Sequence, residues 1–204
     1  MSDHSFTIQG MGRPKIVSEE AVITAAQNLF WKQGYCDTGM AQVLSESSTK
    51  PGSFYSVFDN KRALLVRVIE HYVSTVVESR IAHFLNTPTD PVEGIRDFLL
   101  SSSLSFESGR FVGCLLVKTS AEFAGKDGEI ESQINRGLAT IRDALCSRLD
   151  EAKALGQIPE SLDSLATASL LQSIDQGIGL NGELTKDQAQ LERTIQQFLD
   201  LLEK

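Results

Sequence analysis

The sequence predicts an all-α protein of about nine helices. Three observations carry that reading. Apolar residues recur at three- and four-residue spacings, no stretch alternates in the manner of a strand, and Gly, Pro and N-cap residues punctuate the chain at helix-length intervals. At 204 residues, 41% of them hydrophobic, the chain can bury a sizeable core in one or two domains.

Ser18 is a good N-cap, followed by Glu19 and Glu20 where the positive helix end favours acids. Val22, Ala25, Ala26, Leu29 and Phe30 then repeat at helical spacing until Gly34. A second, short helix is predicted over 38–45, with Met40, Val43 and Leu44 facing in, and a turn over 45–49. Pro51 suits the first turn of a third helix, where its missing N–H costs nothing. Asp59 or Asn60 caps a long fourth helix marked by Leu64, Leu65, Val68, Tyr72, Val76 and Ile81. The two prolines at 88 and 91 break the chain. Five more helices are expected over 92–106, 114–124, 129–154, 161–181 and 186–203.

The third helix cannot bury itself fully. Phe54 and Phe58 lie four residues apart and dock inward, leaving Lys50, Ser53, Ser56, Lys61 and the Tyr55 hydroxyl outside. A short helix with an aromatic anchor and a small, polar, lightly basic outer face suits a DNA major groove. With the two helices before it, the layout is that of a helix-turn-helix unit. An ordinary helical bundle with one short helix has the same spacing.

Net charge is −8, but residues 1–70 carry seven Lys and Arg against seven Asp and Glu, and the remainder twelve against twenty. A neutral head on an acidic body can grip DNA locally while the body is repelled from the backbone. Residues 1–12 are polar and lack the apolar core of a signal peptide, so they read as a disordered tail. No apolar run reaches the ~18–20 residues of a membrane span. A soluble cytoplasmic protein is expected. Cys36, Cys114 and Cys146 are widely spaced, and neither they nor His4, His71 and His83 form a metal-ligand pattern, so no metal or cofactor is expected.

Residues 12–72 resemble the N-terminal domain of the TetR family of transcriptional repressors. The matching stretches are Gly-Arg-Pro-Lys at 12–15, Ala-Ala-Gln-Asn-Leu-Phe-Trp-Lys-Gln-Gly-Tyr at 25–35, Gly-Ser-Phe-Tyr at 52–55 and Phe-Asp-Asn-Lys-Arg-Ala-Leu-Leu at 58–65. The resemblance implies a helix-turn-helix DNA-binding domain over 13–60 and a ligand-binding and dimerisation domain over 61–204. It also implies a homodimer on a double-stranded operator, and a small-molecule inducer. Carried over residue by residue, it places DNA contacts at Thr38, Lys50, Gly52, Ser53, Tyr55, Ser56 and Lys61, with Arg13 and Lys15 as a basic arm. Two departures bear on the turn. Gly39 stands where the family usually has Ser, and Ser47-Ser48-Thr49 replaces Ala-Gly-Val, whose Gly permits a positive φ. The turn geometry and the register of the third helix are therefore open.

A second site is Gly-Cys-Leu-Leu-Val-Lys-Thr-Ser-Ala-Glu at 113–122. Gly113 reads as a turn residue, which puts Cys114 at a helix N-terminus, and Lys118 lies one turn on. Both effects favour a thiolate and predict a lowered thiol pKa. A small buried residue in an apolar helix is the plain alternative. The stretch also resembles the N-ethylmaleimide-responsive, electrophile-sensing subgroup of the same family. That resemblance implies a sensing role for Cys114, with a non-covalent inducer as the alternative. A helical thiol enzyme would need a base near Cys114, and no histidine lies within 30 residues of it. A helical adaptor with no DNA site is a third class. Leu165, Leu171, Ile174 and Ile178, with Ile195, Phe198 and Leu202, mark the last two helices as a four-helix dimer interface, or as the closure of the monomer's own core.

Overall fold

The computed structural model describes residues 18–102, 113–185 and 187–202; at 182, 183, 185, 188, 201 and 202 it describes the backbone. The expectations for the tail over 1–12, for Arg13 and Lys15, for 103–112 and for the side chain of Leu202 lie outside the described residues. Within them the chain is all-helical, with no strand. Nine helices follow in order: α1 (Glu19–Gln33), α2 (Met40–Glu46), α3 (Pro51–Tyr55), α4 (61–85), α5 (Pro91–Ser101), α6 (Leu115–Phe123), α7 (Gly128–Ala154), α8 (Ser164–Thr185) and α9 (Gln188–Leu202).

Local chemistry explains most boundaries. Ser18 accepts from the Ala21 N–H and Asn60 from the Ala63 N–H, each satisfying a donor the helix leaves open. Asp90 and Asp127 do the same for α5 and α7, each taking two N–H groups. The second helix starts later than the sequence predicts, at Met40 with Gly39 as its cap. The reason lies in Thr38, which is 1% exposed and whose hydroxyl donates to Gly34 O at 2.7 Å. Thr38 thus closes the turn after α1 instead of opening α2. Gly39 has no side chain to cap with, so Gln42 reaches back to the Gly39 N–H at 2.8 Å.

The turn between α2 and α3 keeps its geometry despite lacking glycine. Ser48 adopts φ +51°, and Thr49 N–H reaches Leu44 O at 2.8 Å while Ser48 N–H reaches Ser45 O at 3.1 Å. This is a Schellman closure with serine in the left-handed position. It costs on the order of 1 kcal/mol relative to glycine, and it fixes where α3 begins.

One core runs through the molecule. Val22, Ala26 and Phe30 of α1 meet Phe54, Phe58, Leu64 and Val68 around α3 and the start of α4. The same core continues through Phe98, Leu115, Leu116, Ile141 and Leu145 to Leu171 and Leu199. Helix α4 is the spine. Its first half packs on α1, and its second half packs on α5. It widens twice, over Val73–Val77 and Ile81–Leu85, where N–H groups bond five residues back. Such π segments are uncommon and concentrate at functional sites. Close approach beside the first needs Gly137, where a Cβ would come within 2.8 Å of Val73 and 2.9 Å of Leu116.

Candidate DNA-reading face and effector site

Pro51 starts α3, and Phe54 and Phe58 stack with centroids 5.3 Å apart in the core, which leaves the rest of the helix outside. Lys50, Gly52, Tyr55 and Ser56 are exposed and Ser53 is half-buried. The Tyr55 ring lies edge-on to Phe54, and the residue is 58% exposed, so its hydroxyl is available to a partner. The Ser56 hydroxyl donates to Ser53 O at 2.8 Å. Two residues expected at this face turn away from it. Thr38 is buried, as described above. Lys61 sends its ammonium inward, donating to Tyr35 O at 2.5 Å and lying 4.1 Å from the Tyr35 ring centroid. In this structure the polar groups of both are engaged inside the head. Val57, two residues past this helix and 45% exposed, also faces outward, although it is not among the contacts expected there.

Arg62 is likewise used internally. Its guanidinium holds Asp127 through Nε at 2.6 Å and Nη2 at 2.9 Å, and Glu129 at 2.6 Å. These bonds hold the Asp127 carboxyl down to about 2, helped by the N–H groups of Ile130 and Glu129, against an opposing effect of burial. Charge-assisted, bidentate pairing of this kind fixes orientation as well as distance. It ties the start of α4 to the start of α7.

Helix α6 makes three further ties between head and body. At its start, Trp31 Nε1 donates to Gly113 O at 2.7 Å. One turn on, Lys118 Nζ donates to Trp31 O at 3.3 Å. At its end, the Glu122 carboxylate accepts the Tyr35 N–H at 2.8 Å and the Cys36 N–H at 2.6 Å. Partial burial works against ionising Glu122. Hydrogen bonds from the Cys36 thiol and from these two N–H groups, with the charge of Lys61, outweigh it and hold its pKa below the ordinary value. In the sequence Glu122 stands out only as the last residue of the 113–122 stretch. The signal that could have located it is the Gly34–Tyr35 turn, whose open N–H groups need an acceptor.

Cys114 is the N-cap of α6, as the sequence predicts. Its pKa is the reverse of the prediction. Burial pushes the thiol up and the nearby Asp175 carboxylate adds to this, against the Val117 N–H, the Tyr72 hydroxyl and Arg80. The positive helix end is present, but desolvation outweighs it. Lys118, expected to favour the thiolate, directs its ammonium to Trp31 O.

Around Cys114 the structure assembles polar groups from four elements. Tyr72 of α4 points its hydroxyl at Cys114 Sγ, 3.8 Å away, and accepts the Leu115 N–H at 3.4 Å. Its ring meets Trp31 edge-on at 5.2 Å. Arg80, between the two π segments, pairs with buried Asp175 of α8 at 3.1 Å and bonds Ser101, Ser102 and Phe98 O. Ser102 also bonds Asp175. A buried pair of this kind is costly to desolvate and is retained where its surroundings satisfy both charges. The cluster can report a change at one point to α4, α5, α6 and α8 together. Two open grooves, of about 230 Å³ between α4 and α7 and about 480 Å³ between α4, α5 and α9, lie elsewhere and are not lined by Cys114.

The expected dimer face divides. Leu171, Ile178 and Ile195 are buried in the monomer's own core, the alternative that the sequence leaves open for these helices. Ile174 and Phe198 are half-buried against that core. Leu165 is exposed, and with Leu170, Leu180 and Leu184 it forms the outer apolar side of α8. The helical stripe was correct, but its inward half and outward half cannot be told apart by period alone. Among the described residues no helix is long and apolar enough to cross a membrane.

Comparisons with known proteins agree with this architecture. Residues 22–68 match the family described as "Bacterial regulatory proteins, tetR family", and residues 95–198 match "Tetracyclin repressor-like, C-terminal domain". The chain is 25% identical over 190 residues to the HTH-type transcriptional repressor ComR of Escherichia coli K12, covering 91% of this chain and 87% of ComR. Its fold is similar to that of E. coli NemR in the reduced form, with TM-score 0.79 at 20% identity, covering 90% of this chain and 96% of that one. It is also similar to a cysteine mutant of the TetR family regulator CifR in complex with a 26-bp operator DNA. There the TM-score is 0.81 at 19% identity, and the coverage is 93% of this chain and 98% of that one. With a helix-turn-helix head and a helical body each matching its own family description, the chain belongs to the TetR family of transcriptional regulators, which bind operator DNA.

Proposed function

We propose that this protein is a homodimeric repressor that leaves its operator when an effector acts at the cluster around Cys114. One observation carries the reading: α6 starts in that cluster, at Cys114, and ends on the turn that feeds α2, at Glu122. A shift or rotation of α6 at one end displaces the other. The reading head comprises 13–60 and the effector and dimerisation body 61–204. Two recognition helices must sit about one DNA turn apart, ~34–36 Å, so a small displacement costs affinity at both half-sites. Lys50, Gly52, Ser53, Tyr55 and Ser56 supply the groove contacts, with Arg13 and Lys15 as the arm. The relative ComR is a transcriptional repressor, which supports repression over activation.

The raised pKa of Cys114 favours a non-covalent effector beside the thiol over attack by a standing thiolate. Covalent sensing requires the cluster to open first. A gel-shift assay on the DNA upstream of the chain's own gene, with and without N-ethylmaleimide and reductant, tests the scheme. Release by N-ethylmaleimide in wild type and retention in Cys114→Ser establishes the covalent form. Equal release in both sinks it and leaves the non-covalent one. No complex at low salt overturns the whole reading.

A further inference from the structure

Among its described residues the head carries two exposed large apolar side chains, Tyr55 at 58% and Val57 at 45% exposure. Tyrosine has a hydroxyl to offer. Valine has nothing but methyl groups, and Val57 is outside the core that Phe54 and Phe58 anchor. The backbone still turns helically there, with Val57 N–H on Phe54 O and Phe58 N–H on the same carbonyl. At 100° per residue, Gly52, Ser56 and Ser53 form the middle of the outward arc, and Tyr55 and Val57 form its two flanks. The middle is small: a Cβ at Gly52 would meet no atom within 4 Å. A helix with a low centre can sit deep, which brings its flanks against the groove's contents.

In the major groove only one base offers an apolar group, the C5-methyl of thymine. We propose that Val57 is a specificity-determining residue that packs on a thymine methyl in each half-site. The inference rests on the DNA-reading function of α3 and adds which base feature is read. The inward turn of Lys61 strengthens it, since one polar group fewer faces outward.

The test starts from the full chain and a random double-stranded DNA pool, from which bound sites are selected. Each thymine in the selected half-site is then replaced singly by deoxyuridine, which removes the methyl and leaves base pairing intact. Wild type is expected to lose about three- to fivefold in affinity at one thymine per half-site, the scale of burying one methyl group. Val57→Ala is expected to bind the thymine and uracil duplexes equally at that position while keeping any sensitivity elsewhere. Because Val57 supports no core packing, this variant folds as wild type does. The proposal is overturned if wild type ignores every uracil substitution, if the half-site contains no thymine, or if Val57→Ala keeps the same sensitivity. A pool that yields no site at all overturns the DNA-reading function, and this inference with it.

Discussion

Glu122 occupies the space that a side chain at Gly34 would need. A Cβ at Gly34 would lie 3.0 Å from Glu122 Oε1, and the backbone there has φ +89°. The glycine therefore serves twice, as the stop of α1 and as the clearance for a carboxylate from the body. Gly34→Ala is expected to cost about 3 kcal/mol, combining the strain of a backbone region essentially restricted to glycine (φ +89°, ψ 162°) with a weakened charge-assisted bond. In a Glu122→Ala background the same substitution should cost only the strain, about 2 kcal/mol. Urea denaturation of the four proteins measures both. Equal costs in the two backgrounds would show that the carboxylate and the turn are not coupled.

The Arg62–Asp127 tie has a pH signature. The Asp127 pKa is lowered from 3.8 to about 2, with the Arg62 hydrogen bonds as the leading cause. A depressed carboxyl contributes stability that is complete above its unfolded pKa and lost as pH falls through its folded one. The thermal midpoint of wild type should therefore exceed that of Arg62→Gln by a constant margin from pH 7 to about 4, and the margin should close toward pH 2. Part of it should also vanish in high salt, since Arg62 is substantially exposed. A margin that widens below pH 4 would contradict the assignment.

Much of this was legible in the sequence. Caps at Ser18 and Asn60, the Phe54–Phe58 anchor and the proline breaks follow from local rules, and those rules hold where a residue's neighbours lie within one or two helical turns. What was not legible depends on contacts far along the chain. Lys61 reads as a free surface charge until Tyr35 is placed beneath it, 26 residues away. Cys114 reads as activated until the packing of distant elements buries it, with the Asp175 carboxylate nearby. The stripe on α8 gives the correct period, but which half turns inward depends on α7, with which it pairs.

Ser48 holds a left-handed conformation usually given to glycine. Replacing it should relieve strain without touching the bonds that Thr49 and Ser48 make to Leu44 and Ser45. Ser48→Gly is expected to raise stability by about 0.5 kcal/mol, the strain relieved less the entropy that glycine adds to the unfolded chain. Ser48→Val should lower it by more than 1 kcal/mol, on the order expected for a β-branched residue at positive φ. Denaturant midpoints at unchanged m-value decide it, and a destabilised Ser48→Gly protein would mean the serine makes a contact worth more than the strain.

The thiols should react in a definite order. Cys36 is exposed, and the Glu122 hydrogen bond, with burial and the carboxylate's charge, raises its pKa. Maleimide attacks through the thiolate. Glu122→Gln should therefore speed labelling of Cys36 several-fold near neutral pH, while Cys114 in native protein stays slower than Cys36 in both. Peptide mapping after timed quenching reads each site. Unchanged Cys36 labelling in Glu122→Gln would remove the carboxylate as the cause.

The division of α8 into an inner and an outer apolar side makes opposite predictions for neighbouring leucines. Leu170 is 51% exposed and Leu171 is 0% exposed. If the outer side is the dimer face, Leu165→Lys with Leu180→Lys should give folded monomers with unchanged helicity. Each leucine buried at such a face contributes about 1.5–3 kcal/mol, so losing two should weaken dimerisation by about a hundredfold or more. DNA binding should fall with it, because one head alone holds a single half-site. Leu171→Lys should instead unfold or aggregate the chain, since it places an unpaired charge in the core. Sedimentation velocity with far-UV circular dichroism separates the two outcomes. A double outer variant that remains dimeric would place the interface off this face, and a well-folded Leu171→Lys monomer would reverse the assignment of the two sides.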